Sequence, residues 1–383
     1  MLGIALIVLN QSMQALVFGG VALFLPLIRE ELGLSFTEAG ALSASSILVY
    51  AFMQIPAGYL ADRFGARRLF LIGLLGTNLL TIMFASLHSF ELLLANQALS
   101  GVFRALVFAP GLLLISACFP PERRATAIGL YVAGGFSGNV LLNLLGPVAV
   151  DPLGWRLLFA LAAGLGLLVL VLYWRFGPDV PSPVRGAHAT VSEALALFRR
   201  GVMWAIAAIQ FVRLGVALGL AFWLPSFIVD DKGLSLRTAG IVVGLGAALT
   251  APSNFLGGYI ADRLRNPLLI IGTSQVVLAC TLVLLVQVDS VALLLIVVCI
   301  NSLFVQLYFG PLFAVPIDML GARMAGLSSG FGNFFANLGG FTFVYAIGAM
   351  KDATGSFATG FYTLAGLAGV GVLCTLTLSA HRR

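Results

Sequence analysis

Two arginines, Arg104 and Arg213, fall deep inside long apolar runs, about thirteen and about eleven residues from where those runs begin. If the runs are helices spanning a bilayer, both guanidiniums sit near mid-depth, where a cation costs roughly 2.5–3.5 kcal/mol on insertion scales. Something must offset that cost. The 15 acidic residues and the three histidines, His88, His188 and His381, lie outside these runs or, as Glu38 and Glu91 do, at their outer ends, so none stands at mid-depth to neutralise them. A guanidinium without a carboxylate partner offers a planar fork of donors that matches a carboxylate or phosphate bidentately, so the pair reads as a site for an anion brought from solution. The plainer alternative is that each arginine bonds to backbone carbonyls and amides, with Arg104 serving packing alone.

Uncharged polar side chains accompany them at helical spacing: Asn10 with Gln14, Gln97 with Arg104, Asn139 with Asn143, Gln210 with Arg213, and Asn333 with Asn337. Each pair shares one face of its helix. An intramembrane amide serves either as a helix-to-helix hydrogen bond or as a ligand contact. Catalytic chemistry is excluded, because no nucleophile–base pair, metal cluster or phosphate-cradling glycine loop is present. Cys118, Cys280, Cys299 and Cys374 lie in separate runs, with neither metal-ligand spacing nor a disulfide framework. No cofactor and no metal are expected.

The elements that must hold these residues are membrane helices. Hydrophobic residues make up 60% of the chain and charged residues 9%, far from the roughly 25% charge of a soluble domain, and the mean hydropathy is +1.06. Twelve apolar stretches long enough to cross roughly 30 Å of hydrocarbon are expected at about 3–28, 38–60, 69–87, 91–117, 125–148, 155–175, 202–229, 238–260, 268–288, 290–314, 325–349 and 357–379. Solid apolar runs, rather than roughly ten-residue alternation, exclude a β-barrel. The fold class is an all-α membrane protein of twelve transmembrane helices.

Orientation follows from the 21 basic residues. With both termini in the cytoplasm, 14 fall in inner segments and five, Arg29, Arg156, Lys232, Arg237 and Lys351, in outer ones. The net charge of +6 is thereby explained by insertion, and no basic groove with interleaved aromatics supports a nucleic-acid partner. The N-terminus runs directly into an apolar segment, which is expected to be a first transmembrane helix and not a cleaved signal peptide. Residues 176–201 change composition: Gly177-Pro178-Asp179-Val180-Pro181-Ser182-Pro183 is stiff and polar, and Thr190-Val191-Ser192-Glu193 matches a capping box ahead of a short amphipathic helix. This linker divides the chain into six-helix bundles at 1–175 and 202–383.

The chain also repeats itself. Ala57-Gly58-Tyr59-Leu60-Ala61-Asp62-Arg63 is echoed 200 residues later by Gly257-Gly258-Tyr259-Ile260-Ala261-Asp262-Arg263, each at the cytoplasmic end of an apolar run. Duplicated halves of this kind are how many transporters build two bundles that rock about a central site. The first copy, extended through Phe64-Gly65-Ala66-Arg67-Arg68, resembles the loop between helices two and three of the major facilitator superfamily. Gly58, Leu60, Asp62, Arg63, Gly65 and Arg67 fall at the family's positions, whereas Ala66 stands where a basic residue is usual. The second copy keeps Gly258, Asp262 and Arg263, but Arg265 replaces the later glycine and Pro267 ends the loop early. Gly154-Trp155-Arg156 and Arg104 also resemble recurring family features.

The resemblance implies two pseudo-symmetric bundles and a cavity lined by helices one, four, seven and ten. Candidate substrate-binding residues are then Asn10, Gln14, Gln97, Arg104, Gln210, Arg213, Asn301, Gln306 and Tyr308. It also implies that the two loops latch the inner side in the outward-facing state, with Gly58 and Gly258 allowing tight helix packing and Asp62 and Asp262 facing a helix N-terminus of the other half. Phe211-Val212-Arg213 and the 257–265 segment are similar to the anion:cation symporter branch, which carries organic anions. The glycine signature of drug exporters is broken, since Leu142 and Val150 flank Gly146-Pro147.

The expected function is secondary transport of a small organic anion across the cytoplasmic membrane by alternating access, with a proton or a counter-anion as coupling partner and the chain a monomer in the bilayer. An exporter of amphipathic compounds, favoured by the 29 phenylalanines, and a non-transporting receptor are the alternatives. No enzyme is expected.

Overall fold

A computed structural model describes residues 2–120, 124–178, 199–264, 266–312, 315 and 325–381, and among these no strand occurs. The linker's amphipathic helix, expected within 176–201, lies outside the described residues, as does Arg265. Contacts group the chain into two units, Met1–Gly186 with Leu234–Gly244, and Ala187–Gly233 with Leu245–Arg383.

The first unit contains α1 (Leu2–Leu23), α2 (Leu25–Leu32), α3 (Phe36–Phe64), α4 (Ala66–Ser86), α5 (Phe90–Ala117) and α6 (Arg124–Phe176). Breaks between them have local causes. Pro26 opens α2 after Phe24 leaves helical geometry, and Gly33 ends α2 at a φ of 64° that a side chain would resist. Ser35 and Glu38 form a reciprocal capping box that starts α3, with Glu38 N donating to Ser35 Oγ at 3.1 Å and Ser35 N donating to Glu38 Oε2 at 2.9 Å. The expected gap between helices five and six, residues 149–154, shrinks to one residue: α6 continues to Gly154, which turns the chain at φ 71°.

The second unit holds α7 (Gly201–Ser226), the end of α8 (Leu236–Ala248), whose residues up to Gly244 group with the first unit, α9 (Thr250–Leu264), α10 (Pro267–Gln287), α11 (Val291–Leu307), α12 (Ala325–Thr354) and α13 (Ala358–His381). Pro225 has no N–H to donate, and a widened π turn, Phe227–Asp231, follows it. Asn266 starts α10 by accepting from Leu269 N at 3.2 Å, with Pro267 at the first helical position. The eighth expected helix, 238–260, is interrupted at Leu249, and the tenth, 290–314, leaves helical geometry at Tyr308.

Ten of these segments are long and apolar enough to cross a membrane; one of them, Ala127–Phe176, is divided by the Gly154 turn. Adding the 30-residue α12 gives twelve helices of spanning length among the described residues. Their outward-facing Leu, Phe and Trp side chains, such as Leu145, Trp174 and Phe255, suit contact with lipid.

The duplication in sequence is a duplication in packing. In the first unit α1 lies along α6, and a Cβ at Gly138 would meet the Ser12 carbonyl oxygen at 2.1 Å; in the second α7 lies along α12, and a Cβ at Gly339 would meet the Phe211 carbonyl oxygen at 2.0 Å. Left-handed glycines recur in step, Gly33 with Gly233 and Gly154 with Gly355. Each unit has its own buried aromatic cluster. Phe84, Trp155 and Phe159 stack edge-to-face in the first, and Phe227, Phe357 and Phe361 pack in the second.

Candidate functional site

In the first unit, Gln97, Ser100 and Arg104 rise at three- and four-residue intervals along one face of α5. They line a cavity of about 20 Å³ with Gln14, Phe18, Thr77 and Asn96, room for about one water. The Arg104 guanidinium lies 3.7 Å from the Phe18 ring centroid and 5.3 Å from that of Tyr50, and its Nη1 donates to Ser46 Oγ at 3.0 Å. Gln14 Nε2 donates to Thr77 Oγ1 at 2.6 Å, and Asn96 Oδ1, buried, has no partner among the described residues. Asn10 turns its amide onto its own helix, Nδ2 donating to Leu6 O at 2.8 Å, and does not line this cavity.

In the second unit Arg213 is 3% exposed and Gln210 1%. Arg213 Nε donates to Gln210 Oε1 at 3.1 Å, and its guanidinium carbon lies 4.8 Å from the Phe309 ring centroid. Tyr308 is fully buried within electrostatic reach of Arg213, and its hydroxyl has no partner among the described residues. Asn301 is placed differently, its Nδ2 donating to Thr281 Oγ1 at 2.8 Å, which joins α11 to α10. Gln306 is half-buried at the end of α11.

No carboxylate among the described residues pairs with Arg104 or Arg213. Arg213, buried, is held by one neutral oxygen and one aromatic face, and Arg104, half-buried, by one neutral oxygen and two rings, which leaves most of the five N–H donors of each open to an incoming acceptor. No group of three metal-ligating side chains occurs among the described residues.

The repeated loops are described in part. Gly65 adopts φ 91° between α3 and α4, a conformation that requires glycine there. Arg67 Nη2 donates to the Trp174 carbonyl at 2.8 Å, Arg63 lies exposed with its guanidinium over Phe64, and Arg263 Nη1 donates to Tyr259 Oη at 3.0 Å. The side chains of Asp62 and Asp262 lie outside the described residues. The tight packing expected at Gly58 and Gly258 is found one residue earlier in the second copy: nothing among the described residues lies within 4 Å of a Cβ at either, whereas one at Gly257 would meet the Leu307 carbonyl oxygen at 1.7 Å. The register of the helix puts Gly257, and not Gly258, against α11.

Sequence spacing found Gln97, Arg104, Gln210 and Arg213 because each pair shares a helix. Phe18, Ser46 and Phe309, which reach the arginines from other helical segments, and Thr77, which meets Gln14 across the cavity, were missed. The only signal was that Phe18 follows Gln14 by one helical turn.

The chain is 26% identical over 348 residues to the nitrite extrusion protein of Bacillus subtilis strain 168, covering 88% of this chain and 84% of that protein. It is 23% identical over 386 residues to the D-galactonate transporter of Escherichia coli O6:H1, covering 92% and 89%. Its fold matches the crystal structure of a bacterial homolog to the human lysosomal transporter Spinster with a TM-score of 0.79 at 17% identity, over 98% of this chain and 94% of that one. The sequence profile of the Major Facilitator Superfamily matches residues 7–344. A family match of that extent, on twelve helices in which packing repeats at the same 200-residue interval as the sequence, makes this multi-pass membrane protein a member of the Major Facilitator Superfamily.

Proposed function

We propose that this chain is a secondary transporter that carries a small anion, an organic carboxylate or an oxyanion of similar shape, by alternating access. The observation that carries the reading is Arg213, 3% exposed in α7, without a carboxylate partner among the described residues. Arg213 takes the anionic group, and Arg104, with Gln97 and Gln14 beside it, assists. The names of two relatives, a nitrite extrusion protein and a D-galactonate transporter, support an anionic substrate. The bundles 1–175 and 202–383 rock about the linker 176–201, with both termini in the cytoplasm and the 57–67 and 257–263 loops, through Asp62 and Asp262, gating the inner side. The monomer is the transporting unit. An arginine without a carboxylate partner among the described residues favours exchange of one anion for another over proton symport.

The test is uptake of labelled nitrite and labelled D-galactonate into liposomes holding the purified protein, with and without a proton gradient and with and without unlabelled anion inside. Uptake stimulated by internal anion supports the reading. Efflux of amphipathic dyes with no anion flux would make it an exporter instead, and binding without flux a receptor.

A further inference from the structure

Arg213, buried, and Arg104, half-buried, are each held from two directions by residues of their own unit. At Arg213 the Phe309 ring lies over the guanidinium, centroid to carbon 4.8 Å, and Gln210 Oε1 occupies Nε at 3.1 Å. At Arg104 the Phe18 ring lies 3.7 Å away and Ser46 Oγ occupies Nη1 at 3.0 Å. In both cases the ring comes from a different helical segment than the arginine, so its position is set by the fold.

A guanidinium presents all of its N–H donors in one plane. An aromatic ring over one face attracts the cation and keeps water from that face, so an acceptor must approach along the edge. Occupation of Nε decides which edge. At Arg213 the remaining pair is Nη1 and Nη2, whose two N–H groups point end-on and match two oxygens of one carboxylate. Gln210 is itself fixed, 1% exposed and packed beside Gly332, where an added Cβ would lie 3.5 Å from its Cγ.

We propose that Gln210 and Phe309 are positioning residues that hold the Arg213 guanidinium end-on, so that the site selects an anion presenting two coplanar oxygens, as carboxylates and nitrite do, over a monatomic halide. This rests on the reading of Arg213 as the anion-binding residue. Removing either support lets the guanidinium turn. The fork then no longer meets both oxygens at once, while a spherical ion, which needs no particular edge, loses less.

The measurement is uptake of nitrite and D-galactonate into proteoliposomes, with chloride as competitor, for wild type, Phe309→Ala, Phe309→Tyr, Gln210→Leu and Arg213→Ala. Phe309 is 37% exposed, so its truncation leaves the packed interior intact and that variant carries the test even if Gln210→Leu does not fold. Phe309→Ala and Gln210→Leu are expected to raise KM about tenfold with kcat near wild type, the mark of lost binding in ground and transition states alike, and to make chloride a stronger competitor. Phe309→Tyr, which keeps the ring, restores both. Uptake surviving in Arg213→Ala would overturn the anion-site reading itself. Uptake abolished in Arg213→Ala but unchanged in KM and chloride sensitivity in Phe309→Ala would overturn the positioning alone.

Discussion

Arg156 Nε lies 2.8 Å from Glu31 Oε1, which ties the end of α2 to the Gly154 turn in α6. The same guanidinium donates through Nη1 to the Ala85 and Leu87 carbonyls, closing the end of α4, and Trp155 Nε1 donates to Glu31 Oε2. One carboxylate thus gathers three helix ends.

Burial acts to raise the Glu31 carboxyl, but hydrogen bonds from Arg156 and Trp155 and the charges of Arg156 and His88 outweigh it and hold the group below its ordinary value of 4.5. A depressed carboxylate stabilises the fold fully above that value, and the contribution is lost as pH falls through the lower folded value. Because the Glu31 side chain is 43% exposed, solvent screens the interaction and the effect is modest. Thermal unfolding of the purified protein from about pH 6 down to about pH 3 should show a decline that Glu31→Gln flattens. Parallel curves for the two proteins would show that the pair does not report on stability.

The second unit holds the matching position more tightly. Asp231, 200 residues after Glu31, closes the π turn. Its Oδ1 pairs with Lys351 Nζ, its Oδ2 accepts from Phe357 N at 2.9 Å, and the two side chains are only 14% and 10% exposed. Removing one member strands a charge, at a cost of about 3–5 kcal/mol. Asp231→Ala should therefore lower the melting temperature strongly, and adding Lys351→Met should recover part of the loss. A double variant whose loss is the plain sum of the two single losses would mean the groups are not coupled.

Gly257 and Gly258 differ by one residue and by everything around them. A Cβ at Gly257 would fall 1.7 Å from the Leu307 carbonyl oxygen, a backbone atom that cannot rotate away. Gly257→Ala should destabilise the protein by about 1–3 kcal/mol, as overpacking does, while Gly258→Ala should leave its melting temperature unchanged. Equal stability of both variants would contradict the packing of α9 on α11.

The membrane helices were legible because each apolar run needs about 20 residues to cross the hydrocarbon, and that length is written in composition alone. Their breaks were less so. The hydrophobic pattern does not mark Phe24, Leu249 or Tyr308, and the local cue is a proline two or three residues on, Pro26, Pro252 or Pro311, while Gly154 turns the chain inside what reads as a polar gap. At the site, Gln210 and Arg213 could be paired from a three-residue interval. Phe309, which covers Arg213 from 96 positions away, could not, because its place depends on how α11 ends and not on any local spacing. The glycine expected to pack at the repeated loop was misplaced by one residue for a similar reason, since the sequence repeat does not reveal which side of a helix faces its neighbour.

Anion transport by this chain turns on Arg213, and the decisive measurement is uptake of labelled nitrite and D-galactonate into proteoliposomes by Arg213→Ala and Arg213→Lys. We predict that the alanine variant loses at least about a hundredfold in kcat/KM, and that lysine, which keeps the charge but not the planar fork, recovers only part of it. An alanine variant that is folded and transports both anions with wild-type kcat/KM would show that Arg213 does not bind the anion.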